Sequence, residues 1–308
     1  MKSRKLYNVN TGKIVTVYSL SEELQFYASM GYEITTDLIA QAGREWEKVT
    51  TPTQKEYIEE RKDFRDFLKV NQGDYTHAIY QYGTEYLGEI SNLDLVRLCI
   101  LATYASTNGR CYDQNRNEIK RSSLPSIWDV HKSRIGETYD NLIKTGCISI
   151  RESGQIIVNT NLFKYGRMEE GAMKNETYTR MFNEKLLGLY HNTSKKGRKQ
   201  IGMMIRLLPH INYKYNVLCK NPETHIKEEI EPLGWMDICE ILGKEAENTV
   251  TRTKNTLMKL KIDKFDVLGQ FSTGTGYHIV INPKVYYAGN NLEDIKHLYT
   301  MFNMPVTK

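Results

Sequence analysis

The chain says one thing twice between residues 75 and 289, and that duplication limits its fold more than any other feature does. Tyr75-Thr76 opens one copy and Tyr178-Thr179 the other, each leading into a stretch that reads as helical and ends near Leu87-Gly88 or Leu187-Gly188. An apolar helix follows in both, Leu93 to Ala105 and Gln200 to Leu208. Asn108 and Cys111 match Asn216 and Cys219, and Ser123 to Trp128 stands where Trp235 to Leu242 stands. Further on, Ile135 and Leu142 match Val250 and Leu257. The closing agreement is the most specific. Ile157-Val158-Asn159 precedes Gly166 by the interval at which Val280-Ile281-Asn282 precedes Gly289. Packing alone repeats hydrophobic patterns, but it does not specify an Asn…Gly ending.

The second copy is the more informative. Trp235 to Leu242 reads as a helix with Met236, Ile238 and Ile241 on a core-facing stripe, stopped by Gly243. A second helix is expected from about Glu245 to Lys261, with Val250, Leu257 and Leu260 turned inward. Two β-rich runs follow, Phe265 to Leu268 and Tyr277 to Ile281, joined by Gly269 to Gly276, a loop that reads as too long for a two-residue turn. Helix, turn, helix and a looped strand pair is the order of the winged helix-turn-helix, whose usual partner is duplex DNA. The fold class expected is therefore α+β, mainly helical, with tandem winged helix-turn-helix modules and a small N-terminal β-hairpin and helical extension.

On that reading Asn248, Thr249, Thr251, Arg252 and Asn255 form the outward face of the second helix and meet base edges. Arg forks onto guanine, Asn onto adenine, and Thr reaches a base or a phosphate. Lys195, Lys196, Arg198, Lys254 and Lys259 would serve phosphates. In the first copy Ser133, Arg134 and Asn141 are the base-edge candidates, with Lys132 on phosphate. The copies differ in charge. Lys244 to Lys261 holds Lys244, Arg252, Lys254, Lys259 and Lys261 against Glu245 and Glu247, whereas His131 to Lys144 also carries Glu137 and Asp140. Phosphate contacts scale with cations, so the second copy should grip harder.

Ahead of the repeat, Leu6 to Val9 and Ile14 to Tyr18 read as a hairpin turning at Asn10-Thr11-Gly12. Ser19 and Glu22 have capping-box spacing and open a helix through Met30. Thr51-Pro52-Thr53-Gln54 opens another, running to about Val70 with Tyr57, Phe64 and Leu68 on one stripe. That stripe would suit a homodimer contact. The division expected is 1–72 (N-terminal hairpin and helices), 73–166 (first module), 167–183 (linker) and 184–308 (second module with a C-terminal helix).

A net charge of +5 over 308 residues permits nucleic-acid binding without demanding it. The five cysteines lack CxxC spacing, which argues against a structural metal site or a disulfide framework. No apolar run suits a signal peptide or a membrane span, so a cytoplasmic protein with no membrane partner is expected. There is no P-loop, HExxH or GxSxG, and no His-apolar-His pair of the kind a nicking enzyme uses. The expectation is a non-enzymatic protein without cofactor or metal.

Tyr277 to Phe302 carries Asn282-Pro283 at a strand end, an aromatic segment, then Gly289-Asn290 and a final helix. This stretch resembles the end of the winged-helix replication initiators of Firmicute plasmids and phages, the RepL-like proteins, and Thr11-Gly12-Lys13 resembles their N-terminal hairpin. The resemblance implies binding of double-stranded DNA at a replication origin, with opening of the origin or recruitment of host replication proteins. The alternative on the same scaffold, a phage or plasmid transcription regulator acting as repressor or activator, needs the same DNA contacts and would work with host transcription proteins. A winged-helix assembly protein is the alternative of another class.

Overall fold

The computed structural model describes residues 2–47, 51–79, 90–165, 178–244, 249–274 and 276–305. The chain divides into two compact units, Met1–Arg65 and Asp66–Lys308. The fold is α+β, with several small antiparallel sheets.

The first unit opens with β1 (Arg4–Asn8) and β2 (Lys13–Val17), the hairpin expected, followed by α1 (Leu20–Ser29) and α2 (Thr36–Glu47). Leu6, Val17 and Phe26 form its small core. Inside it Glu23 is buried and accepts from Arg4 at 2.9 Å and from the Trp46 indole at 2.6 Å. Helix α3 (Pro52–Asn71) begins where the sequence says, with Gln54 N–H on the Thr51 hydroxyl and Thr51 N–H on the Gln54 side chain. Phe64 and Leu68 are buried, but Tyr57, expected on the same stripe, is exposed.

In the second unit both stretches expected to begin as helices begin as strands. They are β3 (Tyr75–Ile79) and β7 (Tyr178–Phe182), antiparallel neighbours at the centre of a four-stranded sheet. The outer strands are β6 (Phe163–Tyr165) beside β3 and β12 (Tyr286–Tyr287) beside β7. Residues 178–183, expected in a linker, thus belong to the sheet and to the next helix. The two modules expected to be separate lie within one unit.

The sheet register repeats. His77 pairs with Arg180, Tyr75 with Phe182 and Ile79 with Tyr178, so each position of β3 faces the matching position of β7 counted backwards. The outer strands obey the same rule, since Ala78 pairs with Phe163 as Met181 pairs with Tyr286, and His77 with Lys164 as Arg180 with Tyr287. A local two-fold axis therefore passes between His77 and Arg180.

The first copy continues through α4 (Asn92–Ala102), α5 (Leu124–Ile127), a 3-10 turn at Lys132–Arg134 and α6 (Gly136–Lys144), then β4 (Ile148–Ile150) and β5 (Ile156–Val158). The second continues through α7 (Asn183–Asn192), α8 (Arg198–Ile205), α9 (Trp235–Ile241) and α10 (Thr249–Leu257). Then come β8 (Lys261–Ile262), β9 (Phe265–Asp266), β10 (Leu268–Thr273) and β11 (Gly276–Ile281). The loop expected at Gly269 to Gly276 is mostly strand, and the Thr273–Gly276 pair leaves only two residues between β10 and β11. Met236, expected in the core, is exposed on α9. Helix α11 (Leu292–Met301) closes the chain and buries Ile295, Leu298 and Tyr299.

Hydrogen bonds correct the alignment of the copies. Val158 N–H reaches Gly109 O at 2.8 Å as Ile281 N–H reaches Asn216 O at 3.1 Å. Cys111 N–H reaches Ile156 O as Leu218 N–H reaches Ile279 O. Asn216 therefore matches Gly109, not Asn108, and Cys111 matches Leu218, not Cys219. Both Gly109 and Asn216 have positive φ, +77° and +54°, a conformation Gly and Asn tolerate best. The closing asparagines agree in full. Asn159 binds Cys147 O through its N–H and Gly146 O through its amide, and accepts from Asn161 N–H. Asn282 does the same with Val267 O, Asp266 O and Lys284 N–H.

Candidate nucleic-acid interface

Helix α10 is held by one face and open on the other. Thr253 and Leu257 are buried, with Leu260 just beyond, while Thr251, Arg252 and Asn255 are exposed one turn apart. Thr249 turns its hydroxyl to Lys244 O at 3.2 Å, and the Lys254 ammonium lies 5.8 Å from the centre of the Trp235 ring. Asn248 falls outside the described residues. The helix ends earlier than expected, which puts Lys259 just past its end and Lys261 in β8, where Lys261 pairs with Asp266.

The turn between α7 and α8 and the start of α8 carry more cations. Lys195, Lys196 and Lys199 are exposed. A polar cavity of about 490 Å³ is lined by Ser194, Lys196, Gln200, Lys259, Lys261 and Asp263, so residues distant in sequence share one concave surface. Burial holds the Lys244 ammonium below the usual lysine range, and the positive charges of Arg252 and Lys199 add to that effect. Crowded cations of this kind are relieved by an anion. Lys244 and Lys261 were not among the expected contacts. Lys244 follows the helix stop Gly243, and a cation just past that stop was the signal available.

Arg198 requires a correction. It is 2% exposed and does not reach solvent as a phosphate ligand must. Its guanidinium donates to Trp128 O at 2.9 Å, Tyr190 O at 3.2 Å and Asp129 Oδ2 at 2.6 Å, and it stacks 4.1 Å from the centre of the Tyr190 ring. The side chain is a clamp between α8 and the turn after α5. A basic run in sequence does not reveal that one member points inward.

In the first copy Lys132, Ser133 and Arg134 are exposed, but they occupy the 3-10 turn before α6 instead of the helix itself. The Ser133 hydroxyl lies 2.9 Å from His131 Nδ1. Asn141 is the second correction. It is half-buried, and its amide points to Asp94 Oδ2 at 3.4 Å, beside a buried network in which Thr138 donates to Asp94 and Arg97 donates to Thr138. The outward face of α6 instead carries Glu137, Asp140 and Lys144.

All five cysteines are buried and unpaired with one another. Burial pushes the Cys111 thiol up to about 12 and Cys219 to about 11, which keeps both protonated and unreactive. No helix among the described residues is long and apolar enough to cross a membrane. Comparison of the chain with known protein families, with curated proteins and with solved structures finds no match.

Proposed function

We propose that the second unit is a pair of winged helix-turn-helix modules that bind double-stranded DNA by sequence, in the role of a plasmid or phage replication initiator. The order of elements supports the modules. In each copy a helix leads to a short bridge (Arg110 with Ile157, Val217 with Val280), then two helices and a hairpin. The bridge joins the first extended residues to the last strand of the hairpin, which closes the module.

The observation that carries the DNA reading is the setting of α10. Thr251, Arg252 and Asn255 project from a packed helix, Lys196 and Lys259 share a concave surface with the ion-paired Lys261, and Lys244 lies within electrostatic reach of Arg252 and Lys199. Hydrogen-bonding groups for base edges framed by cations for phosphates are what a major-groove probe needs. The initiator role rests on the resemblance carried by Asn282-Pro283 and Gly289-Asn290.

The test is binding of labelled duplex fragments from the encoding DNA, followed by anisotropy across a salt titration. Affinity should fall steeply, the logarithmic slope being roughly −0.9 per phosphate contacted. Absence of saturable binding at low salt would remove the reading. Loss of autonomous replication on deletion supports initiation, whereas reporter repression with unchanged copy number moves the reading to transcription control.

A further inference from the structure

The local two-fold axis between His77 and Arg180 fixes how two probes on one chain must be oriented. We infer that a single chain binds an imperfect inverted repeat, with two unlike half-sites in opposite orientation at one fixed spacing. This rests on the DNA reading and adds the architecture of the target.

Rotation, not translation, relates the copies. Each strand pairing across β3 and β7 maps onto its counterpart only when chain direction is reversed. The matching helices α4 and α8 also pack on one another. Their contact is close at Gly202, where an added Cβ would lie 1.8 Å from Asn92 O. Proteins with two-fold symmetry read sites with two-fold symmetry, and direct repeats would need modules related by a shift along the groove.

Both probes also lie on one side of the unit, because they flank the same short segment. Lys195 reaches Asp129, in the turn leading to Lys132–Arg134, at 3.5 Å. Its neighbour Lys196 shares a cavity with Lys259 and Lys261, and Lys199 acts on Lys244 together with Arg252. The turn carrying Lys195 and Lys196, with Lys199 in the first turn of α8, therefore sits between the two reading elements, where the backbone between half-sites would pass.

The spacing is fixed by side chains that lock the copies together. Arg198 grips the turn after α5, the Tyr190 hydroxyl donates to Trp128 O at 2.8 Å, and Arg206 donates to Asn92 Oδ1 at 2.6 Å. The half-sites differ because the probes differ. One presents Thr251, Arg252 and Asn255, the other Lys132, Ser133 and Arg134 beside Glu137 and Asp140.

The experiment is selection by the full chain from a pool of randomised duplexes of about 40 base pairs, followed by sequencing and by sedimentation of the selected complex. The expected consensus has two oppositely oriented elements whose centres lie about one helical turn, or a multiple, apart. One chain should sediment with each duplex. Inserting about five base pairs between the elements should weaken binding roughly tenfold or more. Arg252→Ala should relax preference in one element and Arg134→Ala in the other. A consensus with one element, or with two in the same orientation, overturns the inference while leaving DNA binding intact, and so does a requirement for two chains per duplex. Failure to enrich any sequence overturns the inference together with the reading beneath it.

Discussion

His77 faces Arg180 across the sheet at the one ladder position where the two copies meet their own image. Tyr75 and Tyr178, matching residues of the two strands, stand edge-on to the His77 ring, each with its centre 5.1 Å away. A buried imidazole beside a guanidinium is disfavoured as a cation. Burial first, and Arg180 second, push the His77 pKa down to about 4.

The sign of the pH dependence follows. Between the ordinary histidine value near 6.5 and about 4, the unfolded chain binds a proton that the folded chain refuses. Stability from this group is fully present above about pH 6.5 and is lost as pH falls through that window. The loss should be on the order of 2 kcal/mol by pH 5. Urea midpoints at pH 7 and pH 5 would measure it, and His77→Gln should flatten the difference. His210 and His278 are also held low, chiefly by burial, so a smaller slope of the same sign should survive.

Arg198 and Lys196 are two positions apart and should behave in opposite ways. Arg198→Ala removes a buried clamp and leaves Trp128 O without a donor from α8, so stability should drop by about 2–4 kcal/mol in denaturant unfolding. Lys196→Ala removes an exposed cation. Its unfolding midpoint should barely move, within about 0.5 kcal/mol, while the salt slope of the proposed DNA binding falls by about one.

The paired asparagines allow an internal comparison. Asn282 is fully buried and Asn159 only partly so, although their hydrogen bonds match. Asn282→Ala should cost about 2–3 kcal/mol and Asn159→Ala about 1, since unsatisfied carbonyls are more costly where water cannot replace the amide. Thermal unfolding of the two variants would rank them, and equal losses would count against burial as the cause.

Gly202→Ala should be the most damaging small change in α8. The new methyl would meet the Asn92 backbone, which does not rotate away as a side chain does. Forcing α4 and α8 apart should cost at least about 2 kcal/mol. The same substitution at Gly188, with nothing within 4 Å of the added carbon, should be neutral or stabilising in the same unfolding assay.

What the sequence revealed depended on how each element is buried. Helices with one wet face were legible: α3 and α9 begin within a residue of the expected positions. The strands β3 and β7 were not, because Thr76 to Ile79 and Thr179 to Phe182 are buried without interruption and show no alternation of polar and apolar residues. The repeat itself was readable through Asn159 and Asn282, which keep a hydrogen-bonding pattern as well as a packing one. Its detail slipped by one residue at Gly109 and Asn216, where the shared property is a backbone angle that two different residues satisfy. At the candidate interface, exposed positions such as Thr251, Arg252 and Asn255 were identified from periodicity. Arg198 and Asn141 were misjudged because their partners, Asp129 and Asp94, are distant in sequence.

The ladder joining β3 to β7 has a consequence for any attempt to divide this protein. A cut between residues 166 and 178 would leave each fragment with a two-stranded ribbon and one raw edge, β3 with β6 in the first and β7 with β12 in the second. Such ribbons hold poorly alone, and their open edges invite pairing with whatever strand is nearest. The nearest suitable strand is the other fragment's. Two pieces made together should therefore reassemble into the native sheet, and either piece made by itself should stick to copies of itself.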